Sequence, residues 1–206
     1  MANYNLDKTL AVAQEKLKAK EPEIMAQLSS TEYNQDNKTF RVPFLGEEYL
    51  VQYPEGKVTL AGNETQEVSL QNQILILHYL VTASGQPIQN QYISFKELPD
   101  GAIYIDPFTK RTINPMLKLF GHDLDLFKTT AAKLGGEIKN LGHAGVTINV
   151  FPKVPITYVI WEGDDEFPAS GNVLFDASAG SYLPTEDYAV VASQVIWTLK
   201  ALSNCS

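Results

Sequence analysis

Residues 39–60 read TFRVPFLGEEYLVQYPEGKVTL. Three runs rich in Phe, Val, Tyr, Leu and Thr are separated by Leu45-Gly46-Glu47 and Pro54-Glu55-Gly56, two clusters of turn chemistry. That pattern predicts a three-stranded antiparallel meander. Upstream the period lengthens: Leu6, Leu10, Ala13 and Leu17, then Ile24 and Leu28 beyond Pro22, recur at helical spacing. They predict one helix, bent or broken near Glu21, in an N-terminal segment (1–30) that packs on the rest. Downstream, VSLQNQILILHYLVTASG returns to helical spacing through Leu70, Ile74, Leu77 and Val81, with Gly85 as its C-terminal stop.

QYISFKEL and GAIYIDPF then read as short strands around Pro99-Asp100-Gly101, and Thr109 to Leu134 reads as helix interrupted near Gly121. Further strands are predicted near 146–150, 156–161 and 172–175. A last helix starts at Thr185, with the stripe Tyr188, Val191, Ala192, Val195, Ile196, Leu199 and Leu202. Strands and helices come in runs rather than strict alternation. The expected fold is therefore α+β, a mainly antiparallel sheet packed by helices, in a single compact domain spanning 1–206.

Composition limits the function classes. With 206 residues, 44% hydrophobic and 19% charged, the chain can bury a substantial core. Its net charge of −8 and 16 scattered Lys and Arg residues argue against nucleic acid as a partner, because a phosphate backbone is met by clustered cations. The N-terminus lacks the apolar core of a signal peptide, and the longest apolar run, ILILHYLV, is too short to span a bilayer and carries His78. A soluble, cytoplasmic protein with no membrane contact is expected. Cys205 is the sole cysteine, which rules out an intrachain disulfide or a cysteine-rich metal cluster.

Charge is distributed unevenly. Trp161 to Asp187 holds seven carboxylates, and no Lys, Arg or His occurs from Val154 to Leu199. Glu186 and Asp187 fall in the first turn of the last helix, capped by Thr185, where the helix dipole favours anions. Glu162, Asp164, Asp165, Glu166 and Asp176 need another account. A solvated turn, an oxygen-ligand cation site without EF-hand spacing, and a recognition surface for a basic partner or polar ligand are the three readings. GDDEF matches the Gly-Gly-Asp-Glu-Phe signature of cyclic-di-GMP cyclases only in part, since Asp164 replaces the second glycine.

His78, His122 and His143 form no metal-ligand spacing, and neither a nucleophile elbow, a dinucleotide fingerprint nor a P-loop occurs. His143 lies between glycines in LGHAG; His78 lies in the apolar helix. Trp161, Phe167, Phe175 and Tyr182 are read as core or as pocket lining.

The run YVIWEGDDEFPASGNVLFDASAGSYLPTEDYAVV, with FRVPFLGEEYLV, ILILHYLVTASGQPI, YISFKELPDG and FPKVPITYVIWEGD, resembles a prokaryotic domain-of-unknown-function family, DUF3786, over nearly the full length. The resemblance implies a setting in anaerobic bacteria and archaea. Some members are joined to an iron–sulfur domain similar to that of corrinoid proteins in one-carbon metabolism. This chain lacks their cysteine cluster.

The implied role is a non-catalytic cofactor-binding or accessory protein for a corrinoid or related tetrapyrrole. Its expected ligand-binding residues are Tyr158, Trp161, Glu162, Asp164, Asp165, Glu166, Phe167 and Tyr182, with His143 and then His78 near the cofactor. Two alternatives stand beside it: a small enzyme drawing acid/base or divalent-metal chemistry from residues 162–166, and an acidic module that docks a protein with a basic face. No catalytic residue and no resident metal is assigned.

Overall fold

The computed structural model describes residues 2–204, so Cys205 lies outside the described residues. The chain packs as two compact units. The first comprises residues 1–87 with Phe151–Lys153 and Ser181–Leu183; the second comprises the remainder.

In the first unit, helix α1 (Ala2–Lys18) is separated from α2 (Pro22–Ser29) at the expected break, with Pro22 in the first turn, where its missing N–H is harmless. The meander follows as β2 (Thr39–Phe44), β3 (Glu47–Gln52) and β4 (Lys57–Leu60), and a three-residue strand β1 (Glu32–Asn34) adds to its edge, giving the order β1-β2-β3-β4. Phe40, Val42 and Phe44 alternate inward along β2. Helix α3 (Leu70–Thr82) is capped by the Ser69 hydroxyl, which accepts from the Asn72 N–H, and α1 packs against it. At its other end Lys20 Nζ donates to the Val81 carbonyl at 2.6 Å, a cation placed where the helix dipole is negative.

Tyr79 is the centre of this core. Its ring stacks on Phe151 at 4.3 Å, and Phe151 stacks on Phe44 at 4.6 Å. Its hydroxyl donates to the Ser29 carbonyl at 2.6 Å and accepts from the Lys153 N–H at 3.2 Å. Burial pushes this phenol above its ordinary range.

The second unit holds a five-stranded antiparallel sheet, ordered β5-β9-β8-β7-β6: β5 (Tyr92–Ser94), β6 (Glu137–Lys139), β7 (Ala144–Phe151), β8 (Val154–Trp161) and β9 (Ser170–Asp176). Helices α4 (Ile105–Phe108), α5 (Asn114–Phe120), α6 (Leu124–Ala132) and α7 (Thr185–Ser203) complete it. Along β8, Ile156, Tyr158 and Ile160 face α7, where the Tyr158 hydroxyl donates to the Ala192 carbonyl at 2.9 Å. The α7 stripe is buried from Tyr188 to Leu199. The α+β class expected from the sequence is therefore the observed one.

Two local expectations are corrected. GAIYIDPF is not a strand: residues 101–104 form turns and α4 begins at Ile105, with Pro107 in its first turn and Ile103 74% exposed without a strand partner. Thr185 does not cap α7. Pro184 holds that position, and the Thr185 hydroxyl donates to the Pro99 carbonyl at 2.6 Å. Among the described residues, no helix is long and apolar enough to cross a membrane.

Tyr79→Phe removes the donor from a carbonyl on a fully buried residue, Ser29. A loss of about 1–3 kcal/mol in unfolding free energy is expected from urea titration. A change within error would show that water reaches Ser29.

Candidate functional site

Strand alternation sorts the side chains of the five-stranded sheet onto two faces. Register pairs Ile156 with Phe175, Tyr158 with Val173, and Ile160 with Gly171, which sets these on the α7 side. Thr157 pairs with Leu174, Val159 with Asn172 and Trp161 with Ser170 on the other side. That second face is polar near its middle. Thr147 of β7 and Thr157 of β8 share a hydrogen bond of 2.6 Å between their hydroxyls, and both are buried.

Around this pair runs a groove of about 170 Å³ to which all five strands contribute, lined by Tyr92, Glu137, Lys139, Thr147, Asn149, Pro155, Thr157 and Asp176. Lys139 Nζ donates to Glu137 at 2.8 Å, and that bond raises the ammonium's pKa while lowering the carboxyl's.

Asp176, the last residue of β9, organises the groove's rim. Its Oδ1 accepts from the Gln89 N–H at 2.9 Å, the Ser178 N–H at 2.9 Å and the Ser178 hydroxyl at 2.6 Å. Burial pushes its carboxyl up, but the Ser178 hydroxyl and the backbone N–H groups of Gln89, Ser178 and Asn90 outweigh that and hold it below the ordinary carboxylate range. Through Oδ1 the carboxylate ties the Gln89 backbone to residues 176–178 and so positions loop 88–90.

The turn after β8 closes on itself. Asp164 Oδ1 accepts from the Phe167 N–H at 2.7 Å and the Glu166 N–H at 2.9 Å, and the Asp164 N–H donates to the Phe167 carbonyl at 2.8 Å. The two backbone donors hold the Asp164 carboxyl below its usual range. Gly163 is required here: a Cβ would lie 2.5 Å from the Ala169 nitrogen.

His143 joins the turn from the β6–β7 loop. Its Nδ1 accepts from the Glu162 N–H at 3.0 Å, and its backbone N–H donates to the Ile160 carbonyl at 2.9 Å. An accepting Nδ1 leaves Nε2 as the ring's donor. Neighbouring Gly142, at φ +60°, permits the approach, because a Cβ would meet Val159 at 2.7 Å and the Ile160 carbonyl oxygen at 2.8 Å.

Trp161, Glu162, Asp164, Asp165, Glu166, Phe167 and His143 are thus brought together, exposed, at one end of β8. The other residues expected at a site are elsewhere. Tyr158 is fully buried on the α7 side. Tyr182 belongs to the first unit, buried, its hydroxyl donating to the Gln86 carbonyl. His78 is half-buried in α3 of that unit. Among the described residues, no three His, Cys, Asp or Glu side chains are arranged to hold a metal ion.

The groove residues Thr147, Asn149 and Thr157 carry a sequence signal that periodicity alone passes over: hydroxyl and amide side chains inside otherwise apolar strands, VTINV and ITYV.

Residues 21–197 match the family described as Domain of unknown function (DUF3786). The chain belongs to that family. No curated protein and no solved structure matches it. The match begins at the α1–α2 break and ends in α7, so it takes in both sheets of the DUF3786 chain and the whole of the polar groove.

Because the folded Asp176 carboxyl titrates below its unfolded value, it contributes stability that is fully present above the ordinary carboxylate range and is lost as pH falls through the folded value. Asp176→Asn is expected to lower unfolding free energy by about 1–3 kcal/mol at neutral pH. It should also flatten the acid limb of a stability profile recorded below about pH 5. An unchanged acid limb would mean that other carboxylates set it.

Proposed function

We propose that this DUF3786 protein binds rather than transforms, as a non-catalytic accessory protein that holds a polar ligand on the second face of its five-stranded sheet. The observation carrying the reading is the groove around Thr147 and Thr157. Hydroxyl, amide, carboxylate and ammonium groups converge there in the middle of a sheet, where apolar side chains would otherwise pack. Of its two carboxylates, Asp176 is tied through Oδ1 to Gln89 and Ser178 and Glu137 is paired with Lys139, and no histidine lines it, which favours recognition over acid/base work.

The family setting suggests a corrinoid as that ligand. A groove of about 170 Å³ is too small to enclose a macrocycle. On this reading the ring lies flat along the face, which extends roughly 20 Å from Pro155 to Trp161, with its peripheral amides on Thr, Asn and Lys side chains. The exposed turn of Trp161, Glu162, Asp165, Glu166 and Phe167 would then serve a protein partner with a basic face. A cytoplasmic, anaerobic one-carbon context belongs to the same proposal.

Equilibrium dialysis against aquo-, methyl- and cob(II)alamin tests the ligand. Retention is expected with at least one form, weakened about tenfold by Asn149→Ala or Lys139→Ala and little changed by Glu162→Gln. Retention no greater than that of a nonbinding control for all three forms removes the corrinoid. A mass spectrum and an absorption spectrum of protein purified from an anaerobic host, free of any small molecule, would remove the ligand-binding role itself.

A further inference from the structure

A second concavity lies on the α7 side of the second unit, independent of the polar groove. It has a volume of about 260 Å³ and is more apolar, with Phe95 and Phe108 at its floor and Tyr104 and Pro107 at its wall. The two Phe rings are stacked, 4.0 Å between centroids and 4° from parallel, and are themselves buried. Two opposite charges line this cleft: Arg111 and Glu186, the latter from the first turn of α7. Neither side chain has an ion-pair or hydrogen-bond partner among the described residues, and they are not paired with each other.

The backbone explains how Arg111 comes to be there. Thr109–Ile113 is a π-helical turn, closed by the Asn114 N–H on the Thr109 carbonyl. Pro115 lacks an N–H, so the Arg111 carbonyl loses its ordinary partner four residues on, and the proline ring crowds that same carbonyl. The widened turn relieves the crowding. The Ser193 hydroxyl of α7 then supplies the missing donor to the Arg111 carbonyl at 2.9 Å. The residue is therefore fixed by its backbone while its guanidinium stays unpaired.

A guanidinium takes a carboxylate, a carboxylate takes an ammonium, and an aromatic floor takes an apolar body. We propose that this cleft binds a small zwitterion, an α-amino acid with an aromatic or branched apolar side chain. Its volume, below the roughly 300–1,000 Å³ of drug-sized sites, suits a ligand of that scale. The two unpaired charges distinguish it from a plain apolar dent, which would select neither end of the ligand.

Calorimetric titration of the full chain with L-phenylalanine and L-leucine is the test, with 3-phenylpropanoate and 2-phenylethylamine as analogues lacking one charge each. Saturable binding is expected for at least one amino acid, with Kd of about 1 mM or tighter. Each one-charge analogue should bind about tenfold or more weakly than L-phenylalanine, and Arg111→Gln and Glu186→Gln should each weaken amino-acid binding by a similar factor. Arg111→Lys should recover part of it. Saturation-transfer NMR on the unmodified protein should place ligand protons against the Tyr104 and Phe108 rings, a readout that does not depend on how the variants fold. The proposal is overturned if neither amino acid saturates, if the analogues bind as tightly, or if the transfer arises from other rings. None of these outcomes bears on cobalamin retention, so the two sites stand or fall separately.

Discussion

A phenol buried on an apolar sheet face has to find an acceptor, and Tyr158 finds the Ala192 carbonyl of α7. Much of the second unit depends on that pairing. It assigns the even positions of β8 to the helix side, so Ile156 and Ile160 join the core and Thr157, Val159 and Trp161 fall on the opposite face. Side chains alternate with a period of two, so a slip of one residue would drive Thr157 toward the helices and carry Tyr158 away from its acceptor on α7. The hydroxyl bond and the hydrophobic pattern select the same register. Burial pushes the Tyr158 phenol well above its ordinary range, which favours the neutral, donating form.

The acidic stretch 161–187 resolves into groups with different physical duties. Asp164 and Asp176 are consumed locally, each carboxylate collecting backbone N–H groups that would otherwise be unsatisfied in a tight turn. Glu186 and Asp187 stand in the first turn of α7, where the dipole favours them. Glu162, Asp165 and Glu166 remain, exposed to water that screens their repulsion at low cost. Crowding of like charge thus has a mostly architectural origin. The surplus is smaller than the sequence count suggests.

What was legible follows from the range of the interactions involved. The meander of β2 to β4, the break before Pro22, and the bodies of helices α3 and α7 are set by local periodicity and turn chemistry and stand where the pattern puts them, although α3 ends at Thr82, before Gly85, and α7 is not capped by Thr185. The edge strands β1 and β6, three residues each, are too short to carry a period and exist because a neighbouring strand offers its free edge. Residues 101–108 carry strand-like side chains, but no strand edge reaches Ile103, and Pro107 favours a helix start instead. At the site, the contiguous turn Trp161 to Phe167 was visible as a charge anomaly. The contact of His143 with Glu162, nineteen residues away in sequence, comes from β7 and β8 being neighbours and has no local signature. The aromatic character that drew Tyr158 and Tyr182 into the expected site is equally the character of a core residue with a satisfied hydroxyl.

Pro115 makes a related point about causes. A proline inside a helix ordinarily breaks it, yet α4, the π turn and α5 run on without a gap from Ile105 to Phe120. The chain absorbs the missing donor by widening one turn and by borrowing the hydroxyl of Ser193, so that a residue of α7 is bound to the Arg111 carbonyl. An Arg on that turn projects from a peptide that α7 ties down through the Ser193 hydroxyl. The side-chain torsions are then the main freedom lost when an anion is bound, which lowers the entropic cost of using it. A feature that looks like a defect in helix propensity therefore acts as a means of presenting one cation to a cleft with an aromatic floor.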